Sequence, residues 1–112
     1  MKVCFEDIGH MSATFAAQSG EGGQPVKVSG NGVVSACADG EVFCGVMESL
    51  RGGYAGVQLH GFVTLPYSGT APTLGFNTLV ANGNGGVKAA SGGRAHLVVS
   101  VDSAVKCVTF EL

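Results

Sequence analysis

The chain has 112 residues, of which 12% are charged and 46% apolar, with 19 glycines and no tryptophan. This length suits one domain with one core, and the low charge with abundant glycine predicts many short strands joined by tight turns rather than a disordered or collagen-like chain. The formal net charge of −2 forms no basic stripe, and apolar runs are far shorter than the ~20 residues that span a bilayer. We therefore expect neither nucleic acid nor a membrane as a partner.

The first 23 residues differ in pattern from the rest. Their apolar residues, Phe5 among them, follow no regular period, and residues 18–23 are rich in glycine. We interpret residues 1–23 as an N-terminal arm with a flexible loop, and residues 24–112 as a β-barrel domain. A terminal strand that pairs within its own sheet fits the pattern equally well. Acidic residues follow the start where a signal peptide would be apolar, so we expect no secretion signal and synthesis in the cytoplasm.

Short β-rich runs then alternate with glycine, asparagine and aspartate turns. Residues 24–29 and 33–36 flank a Gly-Asn-Gly turn, which predicts a β-hairpin. Residues 42–49 predict the next strand, in which Gly45 permits a bulge or close packing. The alternate residues of this strand predicted to share one face are Val42, Cys44 and Val46.

The longest extended segment is residues 55–65, whose alternating pattern predicts one strand with a single core face. The core face is predicted to hold Val57, Leu59, Gly61 and Val63. The opposite face is predicted to hold Gln58, His60, Phe62 and Thr64.

Two further hairpins are predicted towards the C-terminus. Residues 78–81 and 87–90 flank an asparagine- and glycine-rich turn. The last two strands, residues 96–101 and 105–112, flank the two-residue connection Asp102-Ser103. The sequence therefore predicts an all-β fold: a single small β-barrel or sandwich of about eight short, mainly antiparallel strands with an N-terminal arm.

No spacing in the sequence matches a catalytic, metal-binding or cofactor-binding site. The histidines are His10, His60 and His96, and the cysteines are Cys4, Cys37, Cys44 and Cys107. None of these residues stands in a zinc-ligand or redox frame, so we expect no catalytic residue, no metal and no cofactor, and we interpret the cysteines as small buried apolar residues. The glycine-rich stretch 83–86 lacks the Lys-Ser/Thr and helix of a phosphate-binding loop. An enzyme assembled from His60, His96 and a cysteine is an alternative hypothesis.

Aromatic side chains outside the predicted core face are the candidate contact residues. We predict that Phe5, Phe62, Tyr67 and Phe76 contact a partner. Phe62 is out of phase with the core face, and Tyr67 and Phe76 lie in or beside a loop. The loop aromatics also leave open a small β ligand-binding module, for example one that binds glycans, without catalysis.

Several segments together suggest a family. Five segments resemble the phage and prophage capsid decoration proteins, also called cement proteins, which are small β-barrel domains long catalogued as a domain of unknown function. The segments are residues 24–28, 44–46, 57–63, 74–79 and 97–102. The resemblance covers residues 24–112. It implies a compact β-barrel that binds the outside of an assembled capsid and stiffens it, often as an oligomer.

The resemblance also sets the expected function. It implies a non-enzymatic structural protein on the virion surface, whose partner is the major capsid protein of a phage or prophage and which also assembles with copies of itself. An N-terminal arm could add a strand to an edge of the capsid lattice.

Overall fold

A computed structural model describes residues 11–112 and confirms the predicted all-β class, since this part of the chain holds ten strands and no helix. The strands are β1 Met11–Ala17, β2 Pro25–Gly30, β3 Val33–Ala36, β4 Gly45–Arg51, β5 Tyr54–His60, β6 Phe62–Pro66, β7 Gly75–Ala81, β8 Val87–Ala89, β9 Arg94–Asp102 and β10 Cys107–Glu111. Across those same residues, nothing has the length and hydropathy of a membrane-spanning helix.

The first five strands form a closed barrel in the order β1-β3-β2-β4-β5, with β1 also bonded to β5. The β1–β3 pair is parallel and the other pairs are antiparallel. β1 lies within the boundaries assigned to the arm, yet it pairs on both sides with strands of its own chain. Of the two alternatives for the N-terminal segment, residues 11–17 therefore follow the second, a terminal strand that pairs within its own sheet. The rest of the predicted arm up to residue 10, with Phe5, His10 and Cys4, lies outside the described residues.

The other five strands form a second sheet in the order β6-β10-β9-β7-β8, with every neighbouring pair antiparallel. This sheet curls until its two edges approach each other. Just after β6, Tyr67 forms a parallel bridge with Val87 of β8, and the Ser68 N–H donates to the Val87 carbonyl oxygen over 3.1 Å.

The predicted single strand 55–65 is wrong, because the chain turns at Gly61, where φ is +107°. β5 before this point belongs to the barrel, whereas β6 after it belongs to the second sheet. The prediction that Gln58 lies on the outer side is wrong, since its side chain is buried. Its side-chain amide donates to the carbonyl oxygens of His60 (3.1 Å) and Phe62 (3.3 Å). These two bonds span the break, so a buried polar group stabilises the corner between the sheets.

The hairpins are predicted more accurately than the faces. The β2–β3 and β7–β8 hairpins are confirmed, whereas the β9–β10 connection is longer than predicted and occupies residues 103–106. Asp102 explains the wider turn, since its Oδ1 accepts a hydrogen bond from the Ala104 N–H over 3.0 Å. Lys106 then adopts a left-handed φ of +55° before β10 begins.

The predicted strand 42–49 begins later than expected, at Gly45. Its predicted face is also wrong at its start, because Val42 is exposed and Phe43 is buried. Residues 42–44 belong to a connecting segment, where the alternation of a strand does not apply.

Two core clusters correspond to the two sheets. The barrel core consists of Val26, Val34, Met47, Ala55 and Val57. The core of the second sheet is larger and consists of Phe43, Val46, Leu65, Tyr67, Leu79, Ala81, Val87, Val98, Val108, Phe110 and Leu112. Phe43 and Val46 come from the first half of the chain, so the second core is completed by residues outside its own sheet.

Gly45 lies where two backbones come very close, so of the bulge or close packing predicted for it the structure has the close packing. A Cβ atom added at Gly45 would lie 2.3 Å from the Gln58 carbonyl oxygen and 2.9 Å from the Val57 side chain. Since the first contact is with backbone on the paired strand β5, no side-chain rotation relieves it. Only glycine fits this position without moving a strand.

We expect Gly45→Ala to lower the free energy of unfolding by about 2–3 kcal/mol, the cost of overpacking a well-packed interior. Chemical denaturation followed by circular dichroism measures the change. Gly30→Ala is the matched control in β2, because its added Cβ would meet the Val33 side chain at an ordinary 3.6 Å. Equal losses of stability in both variants would show that the close approach at Gly45 is not the cause.

Candidate functional site

Residues 37–44, which we call the linking segment, connect β3 to β4 and contact both sheets. The Gly40 N–H donates to the Ala81 carbonyl oxygen (2.8 Å), and the Ala81 N–H donates to the Glu41 carbonyl oxygen (2.9 Å). On the barrel side, the Cys44 N–H donates to the Val26 carbonyl oxygen (2.9 Å). The linking segment is therefore bonded through its backbone to β7 and to β2 at once.

Two ion pairs flank the linking segment. Lys27 of the barrel binds Glu41, and Lys88 of the second sheet binds Asp39 over 2.8 Å. The hydrogen bond from Lys27 holds the pKa of Glu41 below its ordinary value, with a further contribution from the Ala38 N–H. Both pairs are accessible to solvent, so they orient the segment more than they stabilise the fold.

The side chain of Phe43 extends from the linking segment into the second core, where its ring packs against a buried histidine. The rings of Phe43 and His96 stack with centroids 5.1 Å apart and planes 10° apart, and Phe110 packs edge-on against both. His96 is 2% exposed. Its position in β9 explains its burial, because its side chain alternates inward with the neighbouring core residue Val98.

The hydrogen bonding of His96 fixes its tautomer. Its Nδ1 lies 2.8 Å from the Glu111 carbonyl oxygen, which can only accept, so Nδ1 carries the proton. Nε2 is buried and has no hydrogen-bond partner among the residues that the structure describes. Burial lowers the pKa of His96 and outweighs the opposite effect of the Glu111 hydrogen bond. The imidazole is therefore held neutral in an apolar core.

The three described cysteines are free thiols and half-buried. Burial raises the pKa of Cys37 to about 11, with a further contribution from Glu41, and burial also raises the pKa of Cys44. Because the thiolate is the nucleophilic form, these two side chains are poor nucleophiles at neutral pH.

The enzyme hypothesis receives no support from this arrangement. His60 is exposed on β5, whereas His96 is enclosed in the other core, and no hydrogen bond joins a histidine to a cysteine within residues 11–112. The same residues hold no group of three or more His, Cys, Asp or Glu side chains that could bind a metal ion.

The glycine-rich turn between β7 and β8 is closed by its own asparagine. The Oδ1 atom of Asn82 accepts from the N–H groups of Asn84 (2.8 Å) and Gly86 (3.1 Å), and its Nδ2 donates to the Ser68 hydroxyl (3.1 Å). Two of the amide donors that could cradle a phosphate are thus already used. A cavity of about 60 Å³ lies beside the turn, which is room for a few water molecules.

The structure separates the predicted contact aromatics. Phe76 is 75% exposed and Phe62 is half-buried, whereas Tyr67 is 7% exposed and belongs to the second core. The prediction of Tyr67 as a contact residue is therefore corrected, because its bridge to Val87 turns the ring inward. Its burial also removes one of the two aromatics on which the glycan-binding hypothesis rests.

Phe62 and Phe76 lie on one face of the second sheet, opposite its core. Phe76 is paired directly with Leu97, and Phe62 with Glu111. On the same face, one pair further along β6 and β10 from Phe62 and Glu111, the hydroxyls of Thr64 and Thr109 are 2.8 Å apart. We call these side chains, together with Leu74, the outer face.

The most exposed apolar part of the outer face is at β7. Leu74 is 71% exposed immediately before this strand, and Phe76 projects two residues later. Leu74 and Leu97 are not among the contact residues predicted from the sequence. Leu97 points outward between the buried residues His96 and Val98, but the continuous apolar run 97–99 hides this alternation in the sequence, and Leu74 has no sequence signal either.

Comparison with protein-family models finds no family that matches the chain, and comparison with curated proteins finds no match either. The resemblance to capsid decoration proteins therefore remains a hypothesis.

We expect the burial of Cys37 to slow its alkylation by iodoacetamide roughly 100-fold at pH 8 relative to the unfolded chain, because a pKa of about 11 leaves few thiolates. Peptide mapping by mass spectrometry follows the rate. The same protein in urea is the control for intrinsic reactivity. Equal rates in the folded and unfolded protein would contradict the assigned environment.

Proposed function

We propose that this protein is a non-enzymatic structural protein that decorates the outside of a phage-like capsid, with the major capsid protein as its partner. The observation that carries the proposal is the outer face, where Leu74 and Phe76 present large apolar side chains to solvent. Exposed clustered apolar side chains on a small domain favour a protein contact. The resemblance of residues 24–112 to decoration proteins supports the same function.

The outer face has the composition of a contact surface. Phe76 and Leu97 supply an apolar centre on β7 and β9, while Thr64, Thr109 and Glu111 supply a polar region on β6 and β10. Protein interfaces combine an apolar, often aromatic, centre with a polar rim. Burying one exposed Phe side chain contributes about 1.5–3 kcal/mol. Burial of Phe76 against a partner therefore supplies a substantial part of the binding free energy of a weak complex.

The backbone beneath the apolar centre is rigid. β7 is hydrogen-bonded on both sides, to β9 and to β8, and its inward residues Leu79 and Ala81 are buried. A preformed face loses little conformational entropy on binding. On a lattice of repeated subunits, many such contacts act together, and assembly of the protein with its own copies would increase the avidity further. The proposal places the protein on the virion surface.

We expect Phe76→Ser to weaken binding to assembled capsids at least tenfold, with little change in folding stability because the ring is already exposed. Light scattering and co-sedimentation with assembled shells of the candidate major capsid protein measure the binding. Tyr54→Ser is the matched control, since Tyr54 is a 63% exposed aromatic on the barrel.

The outcomes are distinct. No saturable binding by the unmodified protein would reject the decoration function itself. Binding that survives Phe76→Ser and is lost in Tyr54→Ser would keep the function and move the contact from the outer face to the barrel.

A further inference from the structure

His96 is positioned so that its charge state bears on the contact between the two sheets. Its ring is stacked on Phe43, the side chain through which the linking segment enters the second core. The lone pair of Nε2 lies among buried atoms with no donor beside it within the described residues. Protonation of Nε2 creates a buried cation with an N–H that has no acceptor, which is far more costly than the neutral ring.

The groups around His96 offer this cation little compensation. On β9, Arg94 is a like charge and lowers the pKa of His96 further. From β10, Glu111 contributes its backbone carbonyl oxygen, which Nδ1 already occupies. On the linking segment, Glu41 is bound by Lys27, and Cys44 is held neutral by its raised pKa.

The second ion pair of the linking segment likewise offers His96 no free carboxylate. Asp39 of the linking segment is bound by Lys88 of β8, and both side chains reach solvent. The carboxylates near the segment are thus engaged by lysines, so no described acid takes the place of a counter-ion for His96.

We propose that His96 is an acid-sensitive latch, whose protonation drives the imidazole out of its stack with Phe43 and releases the linking segment from the second sheet. The consequence is a local opening, because the backbone bonds of Gly40 and Ala81 depend on the same segment that Phe43 anchors. Neutral pH keeps the latch closed. The inference stands on the geometry of the core and is independent of the proposed capsid partner.

The direction of the pH effect follows from linkage. The pKa of His96 is lower in the folded protein than its ordinary value of about 6.5. The stabilisation from the neutral ring is therefore fully present above about pH 6.5 and is lost as the pH falls through the lower folded value. Acid, not base, opens the latch.

Amide hydrogen exchange measured by NMR at pH 7.5 and pH 5.0 tests the latch. We expect the protection factors of the Gly40 and Ala81 amides to fall at least tenfold more between these pH values than that of the Ala17 amide, which bonds to the Gly53 carbonyl oxygen within the barrel. His96→Phe should abolish this difference, since phenylalanine preserves the stacking but cannot be protonated. His60→Gln, at the exposed histidine, is the matched control and should retain it.

A second measurement decides the question without a variant. Titration of the imidazole resonances in the unmodified protein should give a His96 midpoint that coincides with the loss of protection in the linking segment. A protonated His96 with full protection at Gly40 and Ala81 would overturn the proposal, as would an unchanged acid response in His96→Phe.

Discussion

The packing of Phe43 against His96 and Phe110 is the contact on which the arrangement of the two sheets depends. Each sheet buries its own residues, but the second core is closed by a side chain delivered from the segment between two barrel strands. The backbone hydrogen bonds of the linking segment to β7 and β2 fix the position of Phe43 in the second core. The burial of Cys37 and Cys44, and the orientation of Glu41 towards Lys27, follow from the same placement.

The unusual glycine content has a structural reason at the points of closest approach. Added Cβ atoms would lie 2.3 Å from the Pro66 carbonyl oxygen at Gly86 and 2.4 Å from the Leu79 carbonyl oxygen at Gly93. Gly86 lies where the β7–β8 turn meets the end of β6, so it permits the curl that brings Tyr67 to Val87. Strongly curved sheets bring backbones together at their corners, and glycine is the residue that admits this.

Local chemistry made the hairpins predictable, whereas tertiary partners decided most of what the sequence did not reveal. The Gly-Asn-Gly turn between β2 and β3 specifies its own geometry. In contrast, the alternation across residues 55–65 continues through Gly61, so nothing local marks the passage from one sheet to the other. Val42 and Phe43 are equally apolar, and only the position of the second core determines that Phe43 is the buried one.

The same distinction explains where the aromatics predicted as contact residues lie. The sequence could place Phe62 and Phe76 outside the core, because each is an apolar residue out of phase with, or outside, a core face. Tyr67 has the local sequence of a surface loop, and its burial depends on a bridge to a residue 20 positions away. Contacts of that separation are set by the curl of the sheet and leave no signature in the loop itself.

The outer face and the latch are joined by one strand pair. Leu97 of the outer face lies next to His96 on β9, and Phe76, paired with Leu97, lies next to Asn77, which is paired with His96. A partner that binds only the ordered outer face stabilises the closed form, in which His96 is neutral. Acid favours the open form, so the two effects oppose each other through the same backbone. If both proposals hold, binding and proton uptake are therefore antagonistic, and the strength of the antagonism is set by how much of β7 and β9 the opening disturbs.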